Sequence, residues 1–376
     1  MANKQPMMNS DQAAQQQNLA LRQALLATSP RQTKLIGTFT ETSAPEGKTT
    51  RMKLFNVGVI TTLRMVVTID VTIATAIATV SPKAPYNAIS NISLVDYEGN
   101  SRVNVSGYQL WQIQSVRERT PAFLNNESTT KLNTMPVVPT AIAANQKIKF
   151  YVEVPVAYDP DRDLRGAILG QTAVGDMYLN VTWNSDFHTN GNDDGVYNGA
   201  AGSVVTVNNT SIELYQDFMF PQNLGNGVPL PMLDLMTVYG IDGNLRITDN
   251  LSNGQERRIS FPNVRNHIGV YANWINNGVC SDAISTFKLL VNGSTELSYH
   301  SLDSQQMSQR KWINSDLPAG SFFSLFRQRP IATAVYGNVE WGLTFSAAPT
   351  GVNYLELAFE NFYPKGSTLP GLGQGQ

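Results

Sequence analysis

At 376 residues and 41.2 kDa, the chain is too long for one ordinary β-sandwich and suits two domains of near-equal size. Hydrophobic residues make up 42% and charged residues only 15%, so there is apolar material for real cores, while a soluble surface must be covered by neutral Asn, Gln, Ser and Thr. A net charge of −2 and a single cysteine, Cys280, exclude a protein drawn to nucleic acid by bulk positive charge and one held together by intrachain disulfides.

Taken in chain order, the first element expected is a helix over 10–28, capped by Asn9 or Ser10, with Asp11 in its first turn and Thr28-Ser29-Pro30 as its stop. Its apolar stripe (Leu19, Leu21, Leu25, Leu26) is thin and Gln-rich, so it needs a partner surface to order. Residues 1–36 form an arm in which Lys4, Arg22, Arg31 and Lys34 face only Asp11, a charge of +3 that leaves −5 on the rest of the chain. Such an arm suits contact with anionic lipid or nucleic acid, and equally an ordinary solvated helix. The opening MANKQPMMNSDQAAQQQ has no apolar core of signal-peptide type, which implies folding in a reducing cytosol.

From about residue 50 the pattern becomes that of strands: Met52–Val57, Val59–Val80 with a turn inside, Ala88–Asp96, Lys147–Ala157, Asp176–Trp183 and Ser203–Phe218. Val57–Val80 is long and apolar enough to suggest a membrane span. Arg64, Asp70 and the alternation of Val71, Ile73, Thr75, Ile77 and Thr79 with Thr72, Ala74, Ala76 and Ala78 make it a strand region instead. One helix interrupts this series, Gly107–Arg119, with Leu110, Ile113 and Val116 at helical spacing. The Gly/Asn/Asp-rich stretch 190–200 reads as an exposed loop tip that tolerates replacement.

Pro221–Pro231 is a Pro/Gly-rich joint and the best domain boundary. A second strand series follows: Leu233–Tyr239, Arg257–Phe261, His267–Trp274, Ile284–Val291, Ser321–Phe326, Ile331–Phe345 and Tyr354–Phe362, interrupted by a polar helix over Ser301–Trp312. The end, Pro364–Gln376, is Gly/Pro-rich and expected to be flexible. Both halves thus run strands, helix, strands. The expected fold is all-β: two tandem eight-stranded jelly-roll β-sandwiches with a helical N-terminal arm and short helical insertions. The expected division is 1–36 arm, 37–222 first jelly roll, 223–364 second jelly roll and 365–376 flexible tail.

Several stretches carry a family resemblance. Pro229-Leu-Pro-Met-Leu-Asp-Leu-Met-Thr-Val-Tyr239 resembles the start of the second barrel of tectivirus major capsid proteins. Val154-Pro-Val-Ala-Tyr158 with Asp163-Leu-Arg-Gly-Ala-Ile-Leu169 resembles a strand and turn of their first barrel. Leu317-Pro-Ala-Gly320, Arg329-Pro-Ile331 and Val335-Tyr-Gly-Asn-Val339 resemble a stretch near their C-terminus. The resemblance implies a major capsid protein, synthesised in the host cytoplasm and located in the virion capsid. It implies a homotrimeric, pseudo-hexagonal capsomer that tiles an icosahedral shell around an internal membrane and a double-stranded DNA genome. The partners it implies are copies of the chain, neighbouring capsomers, minor capsid and vertex proteins, and membrane lipid through the N-terminal arm, with no specific nucleic-acid binding. A jelly-roll glycan-binding or glycan-hydrolysing protein is the alternative, since fold alone does not fix function.

Residues that could carry chemistry do not form a recognisable site. The three histidines, His188, His267 and His300, lack ligand spacing, and His267 reads as a core or interface residue. Asp159-Pro-Asp161-Arg-Asp163 opens like a calcium loop, but Leu164 stands where the turn Gly belongs and Gly170 where the bidentate Glu belongs. It reads as a charged turn paired with Arg162 and Arg165, and Asp193-Asp194 is read the same way. Gly371, Gly373 and Gly375 lack the strand and helix of a nucleotide loop, and Cys280 reads as a small packed residue. Trp111, Trp183, Trp274, Trp312 and Trp341 are spread over both halves, as cores and subunit contacts require. No catalytic residue, cofactor or metal ligand is therefore assigned, and the chain is not read as an enzyme.

Overall fold

The structure, a computed structural model, describes residues 20, 23–42, 44–73, 78–118, 142–170, 173–199, 205–220, 237–247, 255–293, 295–313 and 317–364. The joint 221–231, the tail 365–376 and most of the helix expected over 10–28 lie outside these residues; 23–28 are helical, and Leu25 is buried against Val59, Leu164 and Met219.

The first eight principal strands are β1 (Arg31–Glu41), β2 (Thr49–Lys53), β3 (Val59–Ile73), β4 (Ile89–Val95), β5 (Ser101–Val105), β6 (Ile142–Pro155), β7 (Tyr178–Trp183) and β8 (Val205–Met219). They form two facing layers, in the orders β1-β8-β3-β6 and β2-β7-β4-β5. The next eight are β9 (Thr237–Ile247), β10 (Glu256–Ser260), β11 (Asn266–Asn276), β12 (Ile284–Val291), β13 (Thr295–Ser301), β14 (Ser321–Leu325), β15 (Val339–Phe345) and β16 (Tyr354–Pro364). Their layers are β9-β16-β11-β14 and β10-β15-β12-β13. Adding eight to each label of the first half reproduces the second. The chain is a double jelly roll whose halves share one topology.

The helices repeat as well. α1 (Gly107–Glu118) lies between β5 and β6, and α2 (Leu302–Ile313) between β13 and β14, each 12 residues long. Each starts behind a serine. Ser106 Oγ accepts from the Gln109 N–H (3.2 Å) while Gln109 Oε1 accepts from the Ser106 N–H (3.0 Å), a reciprocal capping box. Ser301 Oγ accepts from the Ser304 N–H at 3.3 Å.

Period-two patterning explains the strands. In β3, Leu63, Met65, Val67, Ile69 and Val71 are buried, while Arg64, Val66, Thr68, Asp70 and Thr72 lie half-exposed on the opposite face. The register matches this: Val66 lies between Glu213 of β8 and Tyr151 of β6, and Arg64 between Tyr215 and Glu153.

The structure differs from the sequence expectation at several places. β1 starts at Arg31 and crosses the boundary expected after residue 36, pairing Arg31 with Met219 and Leu35 with Tyr215. Strands β5 and β13 are additional to those expected. The strand expected over Ile331–Phe345 is broken: after Ile331–Ala332 comes a single helical turn, α3 (Thr333–Tyr336), closed by Gly337 at φ 75°. The Thr333 hydroxyl, bonded with the Pro262 carbonyl and the Arg265 backbone, pins that turn, which the β-favouring Val335-Tyr336 pair does not reveal.

Each barrel has its own core, and that of the second centres on aromatic rings. Phe287 lies 5.0 Å from Phe322 and 6.0 Å from Trp341, centroid to centroid, and all three are buried. Phe287→Ala should therefore lower stability by about 3–5 kcal/mol. A urea-unfolding loss under ~1 kcal/mol would show that the site collapses around the cavity.

Candidate functional site: the seam between the barrels

The two barrels are joined by one continuous sheet and one docked helix. β5 and β9 pair in parallel through Val103 with Ile241 and Asn104 with Asp242, so β2-β7-β4-β5 runs directly into β9-β16-β11-β14. Two residue pairs are a weak hinge by themselves. α1 stiffens them by lying across the second barrel's sheet. Fully buried Gln112 donates from Nε2 to the carbonyls of Ala272 (3.3 Å) and Phe322 (3.2 Å). Gln109 donates to the Leu357 carbonyl at 2.9 Å, and the Tyr108 and Ser321 hydroxyls are 2.6 Å apart.

This docking buries the β9-β16-β11-β14 sheet on both faces. Val270, Ala272, Trp274, Leu355, Leu357 and Phe359 point into the second barrel's core. Ile268, Tyr271, Ala358, Phe362, Tyr239 and Ile241 join the cluster of the first barrel and α1. The near-continuous burial of His267–Ile275 follows from that double coverage.

Near one end of the seam a carboxylate is buried at its centre. Glu360 accepts from the hydroxyls of Tyr239 (2.7 Å) and Tyr271 (2.8 Å) and pairs with Arg327 at 3.4 Å; Arg117 donates to Tyr239 Oη (3.0 Å) and to the Tyr158 carbonyl. Burial opposes ionisation of Glu360, but Arg327, Arg117 and the two tyrosines outweigh it and hold the carboxyl below its ordinary range.

The opposite end carries a polar clasp, built by the run expected to be a free tip. Residues His188–Asn190, Tyr197–Gly199 and Ala78–Val80 form a small three-stranded sheet. From it the Asp193 N–H donates to the Gly278 carbonyl (2.7 Å), and Asp193 Oδ2 accepts from the Cys280 N–H (2.9 Å). Tyr354 bonds Asp194, and Lys83, only 3% exposed, sits between Asp194 (3.7 Å) and Glu356 (3.6 Å). A Cβ on Gly278, at φ 78°, would approach Asn192 Cβ to 2.8 Å. The segment is thus a contact between barrels, and its Asn/Asp/Gly content reflects tight turns rather than freedom.

The other chemistry-bearing residues are dispersed. His267 is buried beside Phe261 and Phe359, its ring nitrogen Nε2 2.8 Å from the Pro262 carbonyl, and burial pushes it down to about 4. His300 bonds Ser304, and His188 lies in the small sheet. Burial pushes the Cys280 thiol up to about 12. In the Asp159 turn, Asp163 pairs with Arg165 at 2.6 Å, but Asp161 reaches Arg31 across the barrel base. Four tryptophans, Trp111, Trp183, Trp274 and Trp341, are buried, and Trp312 is partly so. Among the described residues no group of three or more His, Cys, Asp or Glu is placed to hold a metal, and no helix is long and apolar enough to cross a membrane. Gly371, Gly373 and Gly375 lie outside the described residues.

The same two-part construction organises the known relatives. The family model for the P3 major capsid protein N-terminal domain matches residues 2–220, and that for the C-terminal domain matches 237–370. This chain belongs to the P3 major capsid protein family. Its members are structural shell proteins of the virion and not enzymes, and the seam is read accordingly as a construction element. Major capsid protein P3 of Enterobacteria phage PRD1 is 25% identical over 313 residues, 76% of this chain and 75% of that protein. The STIV MCP, from Sulfolobus turreted icosahedral virus, is 12% identical with TM-score 0.67, covering 91% of this chain and 97% of that one. A chain of the PBCV-1 virus capsid is 13% identical with TM-score 0.56, covering 89% and 94%. At such identities these structures speak for the shared fold.

Glu360→Gln keeps a carbonyl oxygen for one of the two tyrosines, sets an amide NH2 against the other, and removes the charge facing the largely buried guanidinium groups of Arg117 and Arg327. It should cost about 3–5 kcal/mol in urea unfolding at pH 7. The native carboxyl titrates below its unfolded value, so its contribution is complete above about pH 4.3 and is lost as pH falls through the lower native value. The gap between wild type and Glu360→Gln should therefore close on acidification, and a pH-independent gap would show that charge is not the cause.

Proposed function

We propose that three copies of the chain form one capsomer, a pseudo-hexagonal block of six barrels that tiles the icosahedral shell around an internal membrane and a double-stranded DNA genome. The observation that carries this is the duplication of one topology within a chain whose halves are locked together. Two like barrels fused rigidly are a third of a six-barrel ring, and a heterologous contact of fixed angle closes into such a ring. The seam supplies the rigidity, since the barrels share a sheet, a docked helix and two polar clusters.

Within that block, the first barrel runs from Arg31, where β1 begins, to residue 222, the second barrel is 223–364, residues 1–30 act as the arm and 365–376 as the tail. The arm, in which Lys4 and Arg22 outnumber Asp11, faces inward as an adjustable link to membrane lipid, and minor capsid and vertex proteins are the remaining partners. No sequence-specific contact with nucleic acid is part of this reading.

Sedimentation equilibrium of the purified chain should give three times 41.2 kDa, and negative-stain images should show blocks with a hexagonal outline. Two-lobed monomers at micromolar concentration would overturn the capsomer proposal.

A further inference from the structure

The repeated topology offers an internal comparison of the space beneath each helix. In the first barrel the fourth, seventh and eleventh residues of α1, Leu110, Ile113 and Arg117, face Glu153 and Pro155 of the following strand across a cavity of only about 40 Å³. In the second barrel the same positions of α2 are Gln305, Ser308 and Trp312. They face Phe323 and Ser324 of the following strand across a cavity of about 270 Å³. Two aliphatic side chains fill the first space, and an amide and a hydroxyl leave the second one open. We infer that the hollow between α2 and the second barrel is a binding site for a single pyranose sugar ring, a function separate from shell building and independent of the capsomer proposal.

The wall has the two components that recognition of a sugar needs. One is aromatic. Phe287, Phe323 and Trp341 are buried along it, while Trp312 and Phe326 line it half-exposed. Aromatic rings pack against the C–H face of a pyranose as they pack against other apolar surface. The other component is polar. Gln305, 3% exposed, donates its amide N–H to the Phe323 carbonyl, which fixes the amide and leaves Oε1 as an acceptor at the wall. His300 is held through Nδ1 by Ser304 at 3.0 Å and keeps Nε2 for a ligand, and Ser308 and Ser324 add hydroxyls.

This composition selects among ligand classes. A purely aryl or alkyl molecule would cover Gln305, Ser308 and Ser324 without bonding them, and a buried polar group left unbonded costs about 1–3 kcal/mol. Lys288, the charged residue of the wall, is paired with Glu256 at 3.1 Å, so the hollow favours a neutral ligand over an anion. The volume lies just below the range of roughly 300–1,000 Å³ usual for small-molecule sites, which suits one ring and not a chain of them. A neutral ring with one apolar face and a rim of hydroxyls meets all three requirements. The sequence hid this site because Gln305, Ser308 and Trp312 read as one side of a polar helix, and the aromatic residues opposite them come from three different strands.

Saturation-transfer NMR on the full-length chain tests the assignment, with the methyl glycosides of glucose, galactose, mannose and N-acetylglucosamine as probes. At least one should give a saturable signal with a Kd of about 1–10 mM. Ser308→Ile, which copies Ile113 of α1 at an exposed position, should weaken that binding at least about tenfold with an unchanged circular dichroism spectrum. Absence of saturable binding by all four probes would overturn the site, as would undiminished binding by Ser308→Ile. Binding of 4-iodophenol without binding of any glycoside would overturn the sugar assignment in favour of an aryl ligand. If Ser308→Ile does not fold, Trp312→Leu decides: weakened binding supports the site, and full binding overturns it.

Discussion

The double burial of the β9-β16-β11-β14 sheet is the constraint on which the rest of the structure depends. An antiparallel sheet ordinarily has one face on a core and one in water. Here the second face is covered by α1 and the first barrel, so Ile268, Tyr271, Ala358 and Phe362 are core residues of a barrel to which they do not belong. Removing the first barrel would expose that apolar face, and its loss from water stabilises the joined state at about 25 cal/mol per Å². The fused block is therefore held by the same force that folds each half, which is what lets a shell protein transmit geometry from one contact to the next.

Polar groups within the seam contribute registration more than net stability. A buried ion pair roughly offsets its own desolvation, yet a misaligned one is strongly unfavourable. Glu360 has two hydroxyls and two guanidinium groups around it, from β9, β11, α1 and the segment after β14. Sliding α1 by one turn would strand Arg117, and tilting the barrels at the other end would break the bonds of Asp193 to Gly278 and Cys280. The seam is pinned at both ends by bonds that tolerate little displacement, with the apolar contact between them.

Much of this organisation was legible in the sequence, and what was not has a physical reason. Alternation marked strands such as Ile284–Val291, and the 3.6-residue spacing of Leu110, Ile113 and Val116 marked α1. Ser106 and Gln109 carry the capping signal that sets its start. The matching order of elements gave two like halves. β1 was hidden because its residues are mostly exposed polar ones on an edge strand, where pairing rather than patterning makes the strand. The run 188–199 was misread as a free tip because Asn, Asp and Gly signal turns whether a turn projects into solvent or is tied down. Only the position of Gly278 and Cys280 on the other barrel decides which. The Glu360 cluster was out of reach for the same reason: Arg117, Tyr239, Tyr271, Arg327 and Glu360 come together only through the seam.

The two halves keep one topology but dress its equivalent faces differently, and burial within the chain explains why. The outer face of β11 is covered as the chain folds, so it can be as apolar as Ile268 and Tyr271 make it. The outer face of β3 stays half-exposed in the folded chain. It carries Arg64, Thr68, Asp70 and Thr72 around Val66, a mixture no more apolar than an ordinary surface. α1 and α2 differ in the same sense: one buries Trp111 and Gln112 at once, while the other holds Met307 in water among Gln, Ser, Arg and Lys. The two faces cannot be equally apolar, because the one left in water would then promote aggregation. The divergence of the two halves under a common topology is thus the expected imprint of one face buried within the chain and its counterpart left at the surface.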